Sequence, residues 1–358
     1  MADSRLTRWR GRQVLITGHS GFVGAWVATM LRQLGATVTG YAISADEQTR
    51  ERSRWLASLG VRGTAGDVRD FAAVRDALAA GYDTVLHLAG QPLVAVGWAE
   101  PRTTFETNVL GTVNVLEAAR HHPPAALVCV TSDKCYRNRG TGEPYREGDE
   151  LGGGCPYSVS KAAAELVAEG YWGVFRQAGG APRTASVRLG NVIGGGDLAA
   201  RRLVPDCLAA LAGGRPVQLR DPAAVRPFQH VLDVAHGLLL LAGALAEGGI
   251  AGGEAFNFGP PGTGVTAREL ATTLAAAWGG GRVTGQPGAG PAEDQTLRLD
   301  GSRAAVALSW RHRLDAAAAA DWIVRWHRAV AGGVSPGQAT AAQVAEFLGL
   351  PASGAAAA

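Results

Sequence analysis

The sequence predicts an α/β protein: a doubly wound parallel sheet that carries a smaller, discontinuous α+β unit. Three observations lead there. Through the first half, short β-branched runs alternate with helical stretches, the pattern of βαβ units. The first of those runs ends in a glycine-spaced turn that opens a helix. From about Asn191 the alternation gives way to Gly-rich loops such as GNVIGGGD, scattered proline and shorter elements. A chain of 358 residues is long enough for one large α/β unit or two modest domains.

Taken in order, the predicted strands are Gln13–Thr17, Thr37–Ile43, Val61–Ala65, Thr84–Leu88, Ala126–Thr131 and Thr184–Leu189. Helices are expected near Phe22–Leu34, Phe71–Ala80, Pro101–Arg120 and Tyr157–Phe175. An apolar helix over about His230–Ala246 and a strand at Ala255–Phe258 are hydrophobic enough to return to the main sheet. These elements divide the chain into a nucleotide-binding unit, 1–190 plus about 228–260, and a smaller unit, 191–227 plus about 261–348. The tail, 351–358, is low-complexity and is expected to be disordered.

Composition excludes several function classes. With 34 Lys+Arg against 31 Asp+Glu the net charge is +3, too little and too dispersed for a nucleic-acid or membrane-surface partner. The densest basic stretch, Arg50 to Arg54, is broken by Glu51 and reads as a solvated helix face. The longest apolar run, Gly237 to Ala246, is well short of the roughly eighteen residues a bilayer span requires. The first residues, MADSRLTRWRGRQ, hold no apolar core of a secretory signal. Cys129, Cys135, Cys155 and Cys207 form no CxxC pair and are too few for a disulfide framework, so a reducing cytoplasm and no metal site are expected.

Gly18-His-Ser-Gly21-Phe-Val-Gly24 follows the first strand and opens the first helix. Glycines there allow a tight turn and close approach to a pyrophosphate, while the helix N-terminus supplies N–H donors. Strand before and helix after is the context that makes this spacing a dinucleotide site. Gly66-Asp67-Val68 brings a carboxylate toward the adenine amino group, and Leu88-Ala89-Gly90 offers small residues where backbone approaches a cofactor. No acidic residue closes the second strand, where Ile43-Ser44-Ala45-Asp46 stands, so these residues leave NAD and NADP both open.

Only two of the cations are lysines, Lys134 and Lys161, against 32 arginines. An ammonium, unlike a guanidinium, can have its pKa brought into a working range. Both lysines sit in suggestive strings. In Pro156-Tyr157-Ser-Val-Ser-Lys161 the tyrosine and lysine are four apart on a helix, so they share a face and the ammonium can stabilise a phenolate base. In Thr131-Ser132-Asp133-Lys134 a hydroxyl, a carboxylate and an amine stand at the carboxyl end of a parallel strand, which faces the ligand crevice. Asp133 and Lys134 form a plausible acid–base pair there.

TGHSGFVG, GDVRD, HLAGQPLV, TNVLGT, TSDKCY, PYSVSK, RLGNVIGGGD, RPFQHVLD and NFGP occur here in one order. That set resembles the extended short-chain dehydrogenase/reductases that act on nucleotide sugars, most of all their CDP-glucose 4,6-dehydratase branch, over about Trp9 to Arg328. The resemblance implies a Rossmann fold, bound NAD and a homodimer formed through two helices of the main domain. It implies that Gly18, Ser20, Gly21, Phe22, Gly24, Asp67, Val68, Leu88, Ala89, Gly90, Asn108, Tyr157 and Lys161 hold the cofactor. Gln91, Asn191, Arg202, Arg226 and His230 are the implied substrate-binding residues. Tyr157, helped by Lys161 and Ser132, would take the C4 hydroxyl proton while hydride passes to NAD. Asp133 would protonate the departing C6 hydroxyl. Lys134, standing where dTDP-glucose dehydratases have glutamate, would assist removal of the C5 proton, and hydride would return to C6. The chain departs from the family pattern at Val23 (lysine there), at Ala95-Val96-Gly97-Trp98 (Arg-x-Ser-Tyr) and at Leu198 (tryptophan). An NDP-sugar 4-epimerase and a catalytically silent dinucleotide sensor are the alternatives. Neither an epimerase nor a sensor needs the added acid–base pair.

Overall fold

The computed structural model describes residues 3–44, 46–179, 181–262, 264–285 and 296–350; Ala45 and the tail 351–358 lie outside them. Seven strands build the main sheet: β1 (Gln13–Thr17), β2 (Thr37–Ala42), β3 (Arg62–Ala65), β4 (Thr84–His87), β5 (Ala126–Ser132), β6 (Arg183–Leu189) and β11 (Glu254–Phe258). Every pairing is parallel, in the order β3-β2-β1-β4-β5-β6-β11. The reversal of direction at β1 and β4 opens a crevice at the carboxyl ends of these strands. Three two-stranded pairs lie outside the sheet: β7 (Asn191–Ile193) with β10 (Phe228–His230), β8 (Val217–Leu219) with β13 (Val283–Gly285), and β9 (Val225–Arg226) with β12 (Val265–Thr266).

Helices α1 (Phe22–Gln33), α2 (Glu47–Ser58) and α9 (Val231–Ala246) share the core of one sheet face. On the other face lie α3 (Phe71–Leu78), α4 (Val94–Ala99), α5 (Pro101–Phe105), α6 (Gly111–His121) and α7 (Pro156–Gln177). The helix expected over Pro101–Arg120 is interrupted by a π-helical turn at Glu106–Leu110. Proline opens α7 at its first position, where a missing N–H costs nothing, and the Cys155 side chain accepts from Ser158 N–H. As expected, α9 and β11 return to the main sheet: nearly all of α9 is buried, and β11 pairs with β6.

Helices α8 (Leu203–Ala212), α10 (Ala267–Trp278) and α12 (Ala316–Ala331) enclose a second apolar core with β8. Residues 302–348, grouped by the sequence boundary with the smaller unit, pack in large part on the first core. Ala304 and Leu308 of α11 (Ser302–Leu308) belong to that core, as do Val344 and Phe347 of α13 (Pro336–Leu348), which lies against α1 and α2. Among the described residues no helix is long and apolar enough to cross a membrane.

Candidate active site

The glycine turn is built for close approach. Gly18 has φ +75°, and a Cβ there would lie 2.7 Å from the Ala89 nitrogen. At Gly24 a Cβ would meet the Gly18 carbonyl at 2.2 Å. Gly21 caps α1 without a side-chain hydrogen bond, so the first-turn N–H groups beside Ser20 and Phe22 face no capping side chain. Across the crevice, a Cβ on Gly90 would be 3.1 Å from both Asn108 Oδ1 and Lys161 Nζ. Gly90 therefore stands directly beside Lys161, while Leu88 and Ala89 back onto Gly18. This cradle, open only because three positions lack side chains, fits a dinucleotide.

Other expected cofactor residues are tied into the protein. The Asp67 carboxylate is held by the Arg69 guanidinium (2.6 Å), which keeps its carboxyl below the usual range. Val68 is buried against Gly111, and its carbonyl accepts from Asn114. Asn108, on the π-helical turn, donates to Ser160 Oγ (2.9 Å) and to the Gln91 carbonyl, and accepts from Gln91 N–H (2.8 Å). Gln91 turns its own amide onto Thr104 and Leu93.

The catalytic strings converge. Ser132 ends β5 and caps the turn Asp133–Cys135: its Oγ accepts from Lys134 N–H and donates to Asp133 Oδ1 at 3.0 Å. Asp133 is 2% exposed, and its Oδ2 has no partner among the described residues. Lys134 Nζ lies 3.8 Å from Asp133 Oδ1, with 30% of its side chain exposed. A cavity of about 280 Å³ opens beside it, lined by Lys134, Tyr136, Asn138, Gly153, Ser158 and Leu297 among others.

Burial pushes the Tyr157 phenol up to about 12; a hydrogen bond with Ser132 opposes this first, and the charge of Arg202 also opposes it. The expected downward pull from Lys161 is not among the main influences, because Lys161 points toward Gly90. Burial brings Lys161 itself down to about 8, against the opposing charge of Glu165 one turn along α7. Glu165 is fully engaged: Ser186 Oγ donates to it at 2.7 Å, Arg188 at 2.9 Å, and the Thr131 hydroxyl donates to its other oxygen.

The expected substrate residues divide. Arg202 pairs with Asp197 (3.2 Å), and its charge opposes the rise of the Tyr157 phenol. Asn191 begins β7 at the crevice, and Arg226 is buried on β9, donating to the Val225 carbonyl. His230 is wholly buried, edge-on to Trp26 and Trp322, and its Nδ1 caps α9 by accepting from Leu232 N–H, while its Nε2 has no partner among the described residues. Burial holds it neutral, down to about 3.

Sequence reasoning missed Arg52, taken as part of a solvated face. It donates to the Ser20 carbonyl of the glycine turn (3.2 Å) and to the Gly196 carbonyl (3.0 Å), while Trp26 Nε1 donates to Gly195 (3.0 Å). Its partners are backbone atoms remote in sequence, so no local pattern marks it. Glu165 was findable: it is a charge four residues past Lys161 on a buried helix face.

Comparison with known proteins agrees with this geometry. A CDP-glucose 4,6-dehydratase from Salmonella typhimurium is 38% identical over 331 residues, covering 90% of this chain and 92% of that protein. The crystal structure of DesIV, a dTDP-glucose 4,6-dehydratase from Streptomyces venezuelae with NAD and TYD bound, superposes with TM-score 0.73 at 26% identity, covering 91% of this chain and 99% of that one. The UDP-glucose 4-epimerase of Thermus thermophilus in complex with NAD gives TM-score 0.73 at 28% identity, covering 87% and 97%. The model of the NAD dependent epimerase/dehydratase family matches residues 14–259, and the chain belongs to that family.

Proposed function

We propose that the protein is an NDP-sugar 4,6-dehydratase, a hydro-lyase, with CDP-glucose as the first substrate to test. The observation that carries this is the set at the end of β5: buried Ser132 hydrogen-bonded to buried Asp133, half-buried Lys134 beside them, and the buried Tyr157 phenol, which Ser132 pulls down against its burial. An epimerase moves hydride only at C4, whereas a dehydratase must also remove water across C5 and C6 and needs a further acid and base. The relative at 38% identity supports the same reading.

NAD is the cofactor, held by the glycine turn, by Val68 and Leu88 to Gly90, and by Lys161, with Asn108 shaping the wall. Held there, NAD would supply the hydride acceptor for C4 and the hydride donor for C6, and would be regenerated in each cycle. In this reading Tyr157, with Ser132, receives the C4 hydroxyl proton. Asp133 is the acid for the C6 hydroxyl, and Lys134 assists at C5. Arg202, together with Asn191 and Arg226, meets the diphosphate, for which a guanidinium is chemically suited. All three lie in the 191–227 segment of the smaller unit.

A homodimer through α5 to α7 completes the proposal. Exposed Val159, Leu166 and Val174 recur along one face of α7, beside exposed Phe105 and Leu110. The free thiols fit a reducing cytoplasm. The test is incubation with NAD and, separately, CDP-, UDP-, dTDP- and GDP-hexoses, following product mass. Loss of one water from one substrate establishes the reaction and names the nucleotide. Inversion at C4 without mass change assigns the epimerase instead.

A further inference from the structure

We propose that Arg52 is a clasp between the two ligand sites, so that a nucleoside diphosphate held at Arg202 tightens NAD in the glycine turn, and NAD tightens the diphosphate by the same factor. This rests on the nucleotide-sugar reading and adds how its two sites act on one another. Arg52 lies on α2, outside both sites, and is a positioning residue. Its guanidinium forks: one terminal nitrogen donates to the Ser20 carbonyl (3.2 Å), the other to the Gly196 carbonyl (3.0 Å) and, at 3.5 Å, to Gln48 of its own helix.

Each carbonyl belongs to a peptide that shapes one site. The Ser20–Gly21 peptide closes the glycine turn: its N–H donates to the Gly18 carbonyl at 3.0 Å, while Arg52 holds its oxygen. Pinned from both sides, that peptide sets the entry into α1, whose first N–H groups are the donors for a pyrophosphate. The Gly196–Asp197 peptide leads to the carboxylate that pairs with Arg202. Asp197 is 4% exposed, and its charge is the first to oppose the fall that burial imposes on the Arg52 guanidinium. One buried carboxylate therefore serves two arginines, one from each unit. The segment around it does not hold its shape alone. Arg201 has φ +66°, where a side chain is strained, and a Cβ on Gly195 would lie 2.2 Å from the Trp326 ring. Such backbone persists only where its surroundings hold it. Here α12 presses from one side, while Trp26 of α1 and Arg52 of α2 hold the Gly195 and Gly196 carbonyls from the other. A ligand that orders either loop orders the second through Arg52, and the next ligand meets a site already set. Linkage makes the effect reciprocal. For a cofactor regenerated in each cycle, coupling of this sign keeps it in place while a nucleotide sugar is bound.

The experiment is titration calorimetry on the whole chain, comparing wild type, Arg52→Lys and Arg52→Met. Each is titrated with NAD, alone and then saturated with whichever of CDP, UDP, dTDP and GDP the wild type binds most tightly; the reverse titrations follow. In the wild type each ligand should tighten the other by the same factor, about fivefold or more. Lysine keeps the charge, but its single nitrogen ends where the Arg52 Cζ stands and cannot fork to both carbonyls. Methionine keeps the helix propensity and has no donor. Both variants should still bind each ligand, with the factor fallen to near one. If Arg52→Lys keeps the wild-type factor and Arg52→Met loses it, Arg52 acts as a charge and the clasp is overturned. A wild-type factor of one, or variants that bind both ligands more weakly with the factor intact, overturns the clasp and leaves the dehydratase reading standing. If the wild type binds NAD and none of the four diphosphates, the nucleotide-sugar reading itself fails and the clasp with it.

Discussion

Lowering the pH from 7.5 to 5.5 charges histidines in the unfolded chain that the fold keeps neutral. His19, His87, His230 and His236 are each 3% exposed or less. Burial brings them down to about 4, about 3, about 3 and about 4 respectively. An unfolded histidine titrates near ~6.5, so below that value the unfolded state takes up protons that the folded state refuses. Stability is therefore complete above about pH 7 and falls as pH drops toward the folded values. By pH 5.5 each group costs about 1.3 kcal/mol, and the four together cost roughly 5 kcal/mol. Asp233 acts in the opposite direction. Burial pushes it up to about 6, so the folded chain takes up its proton first, returning about 1 kcal/mol or less. The remaining loss, roughly 4 kcal/mol, is a large part of the ~5–15 kcal/mol that holds a domain folded. Urea unfolding at the two pH values and constant ionic strength measures it. His230→Asn keeps an acceptor for Leu232 N–H but cannot take up a proton, and should remove about 1 kcal/mol of the pH dependence. A wild-type difference below 1 kcal/mol, or a His230→Asn curve with unchanged slope, would refute the reasoning.

Four other outcomes are expected. Tyr157→Phe should show no absorbance of reduced cofactor after mixing with substrate; appearance at the wild-type rate removes Tyr157 from the C4 step. Lys134→Ala should reduce bound NAD yet stall before product, and normal turnover by mass spectrometry would count against its role at C5. Gly24→Ala sets a methyl 2.2 Å from the Gly18 carbonyl, and neither backbone can yield easily. Overpacking of that kind costs about 1–3 kcal/mol, so NAD affinity measured by titration should fall roughly tenfold or more. Leu166→Arg places a charge on the exposed apolar face of α7 and should convert a dimer to monomer in light scattering; a mass equal to wild type in both would exclude that face.

The candidate site was legible where it is written in contiguous strings. Ser132 to Lys134 and Tyr157 to Lys161 each sit on one element, so strand alternation and helical spacing place them before any fold is known. The presence of the first six strands follows from the βαβ alternation in the same way. The rest depends on contacts that sequence does not record. Arg52 meets two carbonyls remote in sequence, and the π-helical turn swings Asn108 inward onto Gln91. His230 carries a motif position but is enclosed by two tryptophans supplied by α1 and α12. Helix α12 opens on a run of alanines, which has no hydrophobic period to read.

The near-absence of lysine has a practical consequence. On most proteins of this size an amine-selective reagent scatters over many surface lysines. Here Lys161 is 9% exposed, and Lys134 is the one side-chain amine with a substantial solvent-facing surface. It stands at the mouth of the cleft, over the cavity it shares with Tyr136 and Ser158. A general modifying reagent thus becomes a site-directed one. The extent of labelling at Lys134, read by peptide mass so that the α-amine is counted apart, reports whether the cleft is filled, with no need for an engineered tag.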